Sequence, residues 1–394
     1  MSTLYADMSG IKQPLLTLGS LIKKDLQDAY FLPAWPSSYS PRNKFYNNLK
    51  YRVFENAPSS KIYTDFIFPC RNLPATGNEV PVLSDYQPPS FLKEHWKKWL
   101  PDFPDADIRP VSQGLRDDKL IVTNAAIQSL PKSKHSVDPD VLYRVQLKSS
   151  IHDIGVPCPK YFNSEDDISF PCMVKVDMSW SGYGNRVAYN GNEFAAIIKE
   201  IRDSGWTGNI IYQEFMEDVN EVVSFQFYLH VSGKMHWLGT VVGGLEGFKW
   251  TNGVVEWNKQ EEYKNLFYDQ FVVPVKDYLH TQGYFGIVMC DIMLCDHGMY
   301  LVDLNPRVSG DTHHLLLADY MTQFGFPDSI MKQGMKTNKS AKTLVEKANH
   351  INTGTSAGRV IIIAAADVEE DQCEYETSVF AQSRKEALEL YNKM

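Results

Sequence analysis

Residues 283–317 (GYFGIVMCDIMLCDHGMYLVDLNPRVSGDTHHLLL) constrain this chain more than any other stretch. Two mostly apolar runs, 287–294 and 299–304, flank Asp296-His297-Gly298, which carries turn chemistry, so the segment predicts a strand, a tight turn and a second strand. Each run is interrupted by one acid, Asp291 and Asp303. A three-residue loop places Cys295 opposite Met299 and, counting back, Asp291 opposite Asp303. A two-residue loop would put the two acids on opposite faces. Carboxylates facing each other across paired strands lie roughly 5 Å apart and repel, a cost that a divalent cation removes. Asn305 is two residues beyond Asp303 and points the same way if the strand persists. Asp, Asp and Asn oxygens are hard ligands suited to Mg²⁺, and Arg307 follows where it can meet a phosphate or a developing anion. Read without function, the same stretch is a hairpin with two solvated acids.

Composition narrows the partners. The chain has 394 residues, 43% hydrophobic and 22% charged, with a formal net charge of −9. That is an ordinary globular balance with room for two or three domains. No basic stripe appears, which argues against nucleic acid as a partner. No run approaches the ~18 apolar residues of a membrane span, and the short apolar stretch 14–22 lacks a basic leader. Six cysteines without CxxC spacing suit a reducing compartment, so a cytoplasmic location is expected.

Along the chain, 61–68 (KIYTDFIF) and 119–124 (KLIVTN) read as strands and 91–100 (FLKEHWKKWL) as a helix. Strand alternating with helix predicts an α/β domain with a parallel sheet over residues 1–135. Asp138 or Asp140 starts a helix that carries Arg144 and ends at Gly155, before Val156-Pro157. Residues 171–176 (PCMVKV) form a strand with one cation, Lys175, and 179–186 (SWSGYGNR) form a Gly/Ser loop after it. Such a loop offers backbone N–H groups to phosphates, above a lysine acting as a point charge. Residues 192–204 read as a helix, 209–216 and 222–229 as strands, and 243–250 as a glycine-rich aromatic loop. Residues 263–282 read as helix behind the hairpin, 318–334 as helical, 336–348 as polar surface, 359–366 as a last buried strand and 383–394 as a terminal helix.

The order of these signals resembles the ATP-grasp superfamily over residues 138–317: a helix cation ahead of Gly-Val-Pro, a strand lysine with a glycine loop, a strand ending near a distal Glu, then Asp…Asp-x-Asn-Pro-Arg. The resemblance implies an α/β (α+β) fold with two lobes holding ATP between them, residues 136–210 and 211–394, after a pre-ATP-grasp domain at 1–135. It implies Arg144 and Lys175 as phosphate-binding cations, and Ser181, Gly182 and Gly184 in the phosphate loop. Glu214, Phe215 and Met216 become the adenine hinge, and Glu221 the ribose acid. Asp291, Asp303 and Asn305 become Mg²⁺ ligands, with Mn²⁺ as an alternative ion, and Arg307 stands beside the reacting phosphate. Many members carry Glu where this chain has Asp303, one methylene shorter. The implied activity is ADP-forming ligation of a carboxylate to an amine, both small molecules, with an amino acid or short peptide as the leading acid and Ser309, His313 and His314 near its pocket. A homodimer is compatible with this reading. Alternatives are a kinase of the same fold, a nucleotide-binding regulatory module without turnover, and a ligase acting on protein.

Overall fold

The computed structural model describes residues 13–39, 45–54, 62–246, 249–369 and 371–394. Near the N-terminus four short strands, β1 (Ala29–Leu32), β2 (Val82–Leu83), β3 (Ile108–Arg109) and β4 (Leu120–Thr123), form a sheet of order β3-β2-β1-β4 with every pairing parallel. This is the α/β arrangement expected there, with the helix Ser90–Trp99 as predicted. Residues 62–68 are not a strand. They lie in a helical run, Tyr63–Ile67 and Phe68–Cys70, and Lys61 falls outside the described residues. The β-rich composition is overridden by packing, because a helix lets Ile67 and Cys70 enter the core while Asp65 accepts from the Ser37 amide at 2.9 Å.

A second sheet, β5 (Cys172–Val176), β6 (Arg186–Ala188) and β7 (Ile210–Glu214), has the order β6-β5-β7 and is antiparallel. The helix Gly191–Asp203, capped by Asn190, follows β6. Phe45, Val53 and Phe54 from the N-terminal part share the hydrophobic core of this sheet with Val174 and Trp206. The lobe boundary expected at 210/211 passes through β7.

The third sheet has eight strands: β8 (Val219–Leu229), β9 (Met235–Glu246), β10 (Lys249–Glu256), β11 (Gly286–Cys295), β12 (Gly298–Asn305), β13 (Asp328–Thr337), β14 (Gly358–Glu369) and β15 (Gln372–Ala381), in the order β12-β11-β8-β9-β10-β13-β15-β14. Three expectations are corrected here. Residues 243–250 are not a surface loop, since they belong mostly to β9 and β10, with 247 and 248 outside the described residues. Glycine serves packing there, because a Cβ at Gly243 would stand 3.3 Å from the Trp250 ring. The helix after Leu317 ends at Thr322, and β13 replaces the rest. Residues 341–353 form a helix that buries Ala341, Leu344, Val345 and Ala348, so this stretch is core rather than polar surface. Behind β8 and β11, Phe267, Phe271, Val275 and Leu279 from the expected helical region build one core.

Strand β14 sits at an edge yet is buried over its first eight residues. An open edge invites pairing with another chain, and here the helix Ser90–Trp99 covers it. The Ile362 amide donates to His95 Nε2 at 3.0 Å, and Trp96 Nε1 donates to the Ile362 carbonyl at 2.7 Å. His95 Nδ1 lies 2.7 Å from Asn349 Oδ1, which fixes the tautomer with the proton on Nδ1. Burial lowers the His95 pKa to about 4. The unfolded chain takes up this proton near pH 6.5 and the folded chain only near 4, so stability is lost as pH falls through that window, by about 3 kcal/mol from this residue. Urea unfolding at pH 7 and pH 4.5 should therefore give a steeper loss for the native sequence than for His95→Gln. Equal losses would remove His95 from the account.

Candidate active site

A cavity of about 330 Å³ lies between the second and third sheets, and segments of the N-terminal part close its far side. The strand pleat sorts its walls. On β5, Met173 and Lys175 face the cavity, while Cys172, Val174 and Val176 enter the core. On β11, Met289, Asp291 and Met293 face it, while Val288, Cys290 and Ile292 pack behind. On β8, Val222 and Ser224 do the same, with Val223 and Phe225 behind. Met173, Val222, Met293 and Val302 thus make an apolar slot beside a charged floor.

The hairpin brings Asp291 opposite Asp303, but not through the expected turn. Cys295 pairs with Gly298, so the loop is Asp296-His297 alone, and Met299 pairs with Leu294. A register shift between Asp291 and Ile292 leaves Val302 unpaired, a bulge that adds one residue on β12 and returns Asp303 to the face of Asp291. Val302 and Asp303 consequently both line the cavity, although they are consecutive. The unpaired Val302 carbonyl accepts from Lys175 Nζ at 3.3 Å.

Charge is concentrated on this floor. Asp291 accepts from the Ser224 hydroxyl, and burial together with the Asp303 charge pushes its carboxyl up. Burial also acts to raise Asp303, but Lys148, an Asn305 Nδ2 donor at 2.9 Å, Lys175 and Arg307 outweigh it and hold that carboxyl down. Lys148 Nζ stands 3.7 Å from Asp303 Oδ1 and donates to the Ser179 carbonyl at 3.2 Å. Burial lowers Lys175 to about 8, against the pull of Asp303. Arg307 Nη2 donates to Asn305 Oδ1 at 2.8 Å.

Two facing carboxylates whose mutual repulsion raises one of them fit a divalent cation. Among the described residues no group of three His, Cys, Asp or Glu is placed to hold a metal. A cation between Asp291 and Asp303 would then complete its shell with water and phosphate oxygens, the habit of Mg²⁺. As placed, Asn305 directs its amide oxygen at Arg307 and its NH₂ at Asp303, so it joins a metal only after the amide turns.

Among solved structures, the N5-carboxyaminoimidazole synthetase from Staphylococcus aureus, complexed with ADP, superposes with a TM-score of 0.56 over 94% of this chain and 97% of that one, at 10% identity. An ADP complex of N5-carboxyaminoimidazole ribonucleotide synthetase superposes with a TM-score of 0.53 over 81% and 89%, at 13% identity. The chain has the ATP-grasp fold. The biotin carboxylase from Campylobacter jejuni aligns over 61% of this chain with a TM-score of 0.43 at 13% identity, and this chain spans 63% of that protein's length. No family model and no curated protein matches the sequence.

Of the residues that the ATP-grasp resemblance assigned, the cavity gathers Lys175, Ser181, Gly182, Asp291, Asp303, Asn305 and Arg307. It does not gather Arg144, which is exposed, nor Gly184, Glu214, Phe215, Met216 or Glu221. Gly184 packs inward, where a Cβ would meet Val176 at 2.7 Å. The Glu214 amide donates to the Lys160 carbonyl, and Glu221 Oε2 accepts from the Tyr263 hydroxyl at 2.8 Å. Ser309 lines the cavity, but His313 and His314 are fully buried away from it. His314 is held between the Ser378 and Ser329 hydroxyls.

The cation that reaches the cavity from this side is Lys148, and the sequence reading missed it. The helix was expected to run to Gly155, but it spans Pro139–Val145, and Leu147 is extended (φ −69, ψ 137) before a 3₁₀ segment, Lys148–Ile154. On one continuous helix Arg144 and Lys148 would share a face. The break turns Lys148 inward. Asp177, just past β5, holds it there: its carbonyl accepts from the Lys148 amide at 2.8 Å and its carboxylate from the Ser149 amide at 2.9 Å. A lysine four residues beyond the exposed arginine, inside Gln146-Leu147-Lys148-Ser149-Ser150, was the available signal.

Proposed function

We propose that this ATP-grasp protein is an ADP-forming ligase that joins a carboxylate to an amine through an acyl phosphate. The supporting observation is the convergence of Lys148, Lys175 and Arg307 on the Asp291–Asp303 pair inside one cavity that also offers an apolar slot. In this reading Lys148 and Lys175 bind the ATP phosphates, and Met173, Val222, Met293 and Val302 enclose the base. A Mg²⁺ held by Asp291, Asp303 and a turned Asn305, or Mn²⁺ in its place, supplies charge neutralisation at the transferring phosphoryl group when bound.

A carboxylate oxygen attacks the γ-phosphorus, the bond to the bridging oxygen breaks, and ADP leaves with the electron pair. The amine nitrogen then attacks the acyl carbon. The tetrahedral oxyanion faces Arg307, a donor worth about 2.7–4 kcal/mol by comparison with known cases. Collapse breaks the bond to phosphate, and the nitrogen gives its surplus proton to solvent or a basic side chain. The loop around Ser181 and Gly182 screens the acyl phosphate from water.

The acid we favour is an amino acid or short peptide. We assign residues 1–135 to the acceptor side and 136–210 and 211–394 to the nucleotide-holding lobes. The six cysteines among the described residues are unpaired, which supports the reducing cytoplasm as the compartment. No described helix is long and apolar enough to cross a membrane. A homodimer is the assembly to test by light scattering.

The deciding experiment is a phosphate-release screen with ATP, Mg²⁺ and pairs of amino acids and small acids. Release that needs two organic substrates, a coupled product mass, and loss of both in Lys175→Ala and Asp303→Asn is the expected result. A phosphorylated product from a single hydroxyl-bearing substrate would replace the ligase with a kinase.

A further inference from the structure

Away from the charged floor, the cavity carries a second pair of groups that the phosphoryl chemistry leaves unused. Asp311 is 3% exposed and lines the cavity. Its Oδ1 accepts from Gln226 Nε2 at 2.8 Å and from the Ser309 hydroxyl at 2.5 Å, while its Oδ2 has no partner. A buried carboxylate oxygen without a donor is costly unless a ligand supplies one. Arg71, also 3% exposed, lines the same region. Its Nη2 serves the Tyr63 hydroxyl at 2.8 Å and Glu376, which leaves Nη1 without a hydrogen bond among the described residues. Gly310, which precedes Asp311, lies against Arg71. A Cβ there would stand 3.0 Å from Gln333 Oε1 and 3.5 Å from Arg71 Nη1, so glycine lets the backbone run close beside the guanidinium on the cavity wall.

We infer that this part of the cavity binds a free α-amino acid as the acceptor, with its ammonium on Asp311 Oδ2 and its carboxylate on Arg71 Nη1. An acceptor held this way directs its nitrogen toward the Arg307 side and keeps its own carboxylate away from the γ-phosphate. Tyr63 and Phe68, whose rings lie 5.5 Å and 5.0 Å from the Arg71 guanidinium, give the side chain an apolar wall. The requirement for both charges is the distinctive consequence. A simple amine would leave Arg71 Nη1 without an acceptor and a simple acid would leave Asp311 Oδ2 without a donor, and sites built around buried polar groups reject ligands that lack the matching one. The inference rests on the ligase reading only for the word acceptor.

Calorimetric titration of the full chain, with Mg²⁺ and a non-hydrolysable ATP analogue present, tests it. The probes are the standard amino acids, then the decarboxylated and deaminated analogue of each one that binds. At least one amino acid should bind, and removal of either charged group should weaken binding about tenfold or more, the worth of one charge-assisted hydrogen bond. Asp311→Asn should weaken the amino acid by a similar factor, leave the deaminated acid unchanged, and leave nucleotide affinity within about twofold. If Asp311→Asn does not fold, Gly310→Ala places a methyl group 3.5 Å from Arg71 Nη1, where the carboxylate would approach, and should weaken the amino acid alone. The inference is overturned if no amino acid binds, if either analogue binds as tightly as its parent, or if the folded variant binds the amino acid normally. Binding with these dependences but no ADP formed from ATP would keep the site and end the ligase reading. ADP formation driven equally well by amines without a carboxylate would keep the ligase and end the site.

Discussion

Lys148→Met is expected to lower kcat/KM for ATP turnover by about 10²–10³-fold, the usual cost of losing one preorganised donor to a transferring or developing anion. Arg144→Met should stay within about twofold, the range of an exposed charge remote from chemistry. The contrast follows from placement. Lys148 is 8% exposed, sits 3.7 Å from Asp303, and is fixed through Asp177. Arg144 is exposed and outside the cavity lining. Release of ADP, measured with thermal melting to confirm folding, reads both variants. A reversed order, with Arg144→Met the damaging change, would mean that the helix continues through residue 148 in the working protein. Equal, small effects would remove a cation on this segment from the phosphate site.

The second large effect concerns stability. Arg71→Met should destabilise the chain by about 3–5 kcal/mol, because it leaves Glu376 charged, buried and unpaired. The side chains of this pair are 4% and 1% exposed, and they tie the N-terminal part to β15 across 305 residues of sequence. Glu376 Oε2 already lacks a partner, so removing the guanidinium strips the carboxylate of the cation that compensates it. The double variant Arg71→Met/Glu376→Met should recover most of the loss, since a buried pair replaced by apolar groups is often neutral. Urea midpoints of the single and double variants check this. If the double variant is no more stable than the single one, the loss belongs to packing around Tyr63 and Phe68 and not to the stranded charge.

Sequence periodicity made the floor of the site legible. Alternation puts Met173 with Lys175, and Asp291 with Met289 and Met293, on one face, and the structure keeps both sets together. The parallel N-terminal sheet was expected from strand alternating with helix, but of the two strands behind that expectation only 119–124 is one, as β4. What was not legible depended on events between elements. The helix break at Leu147 exchanged one cation for another, and no local propensity in Gln146-Leu147-Lys148 announces it. Residues 62–68 favour a strand until the core they enter is known. The glycines at 243 and 244 read as a loop because the Trp250 and Asn252 side chains that occupy the space beside them come from another strand. Arg71 and Asp311 are 240 positions apart in the numbering, and only the fold puts them on the wall of one cavity.

The bulge at Val302 carries a lesson for alignment. The hairpin has a turn one residue shorter than the acid pair was expected to need, and a strand one residue longer. These two changes cancel in parity. A related chain could carry the longer turn and no bulge, and its two acids would still face each other. Selection on such a hairpin therefore acts on the count of residues separating Asp291 from Asp303, while the place where a gap opens between them is free to drift.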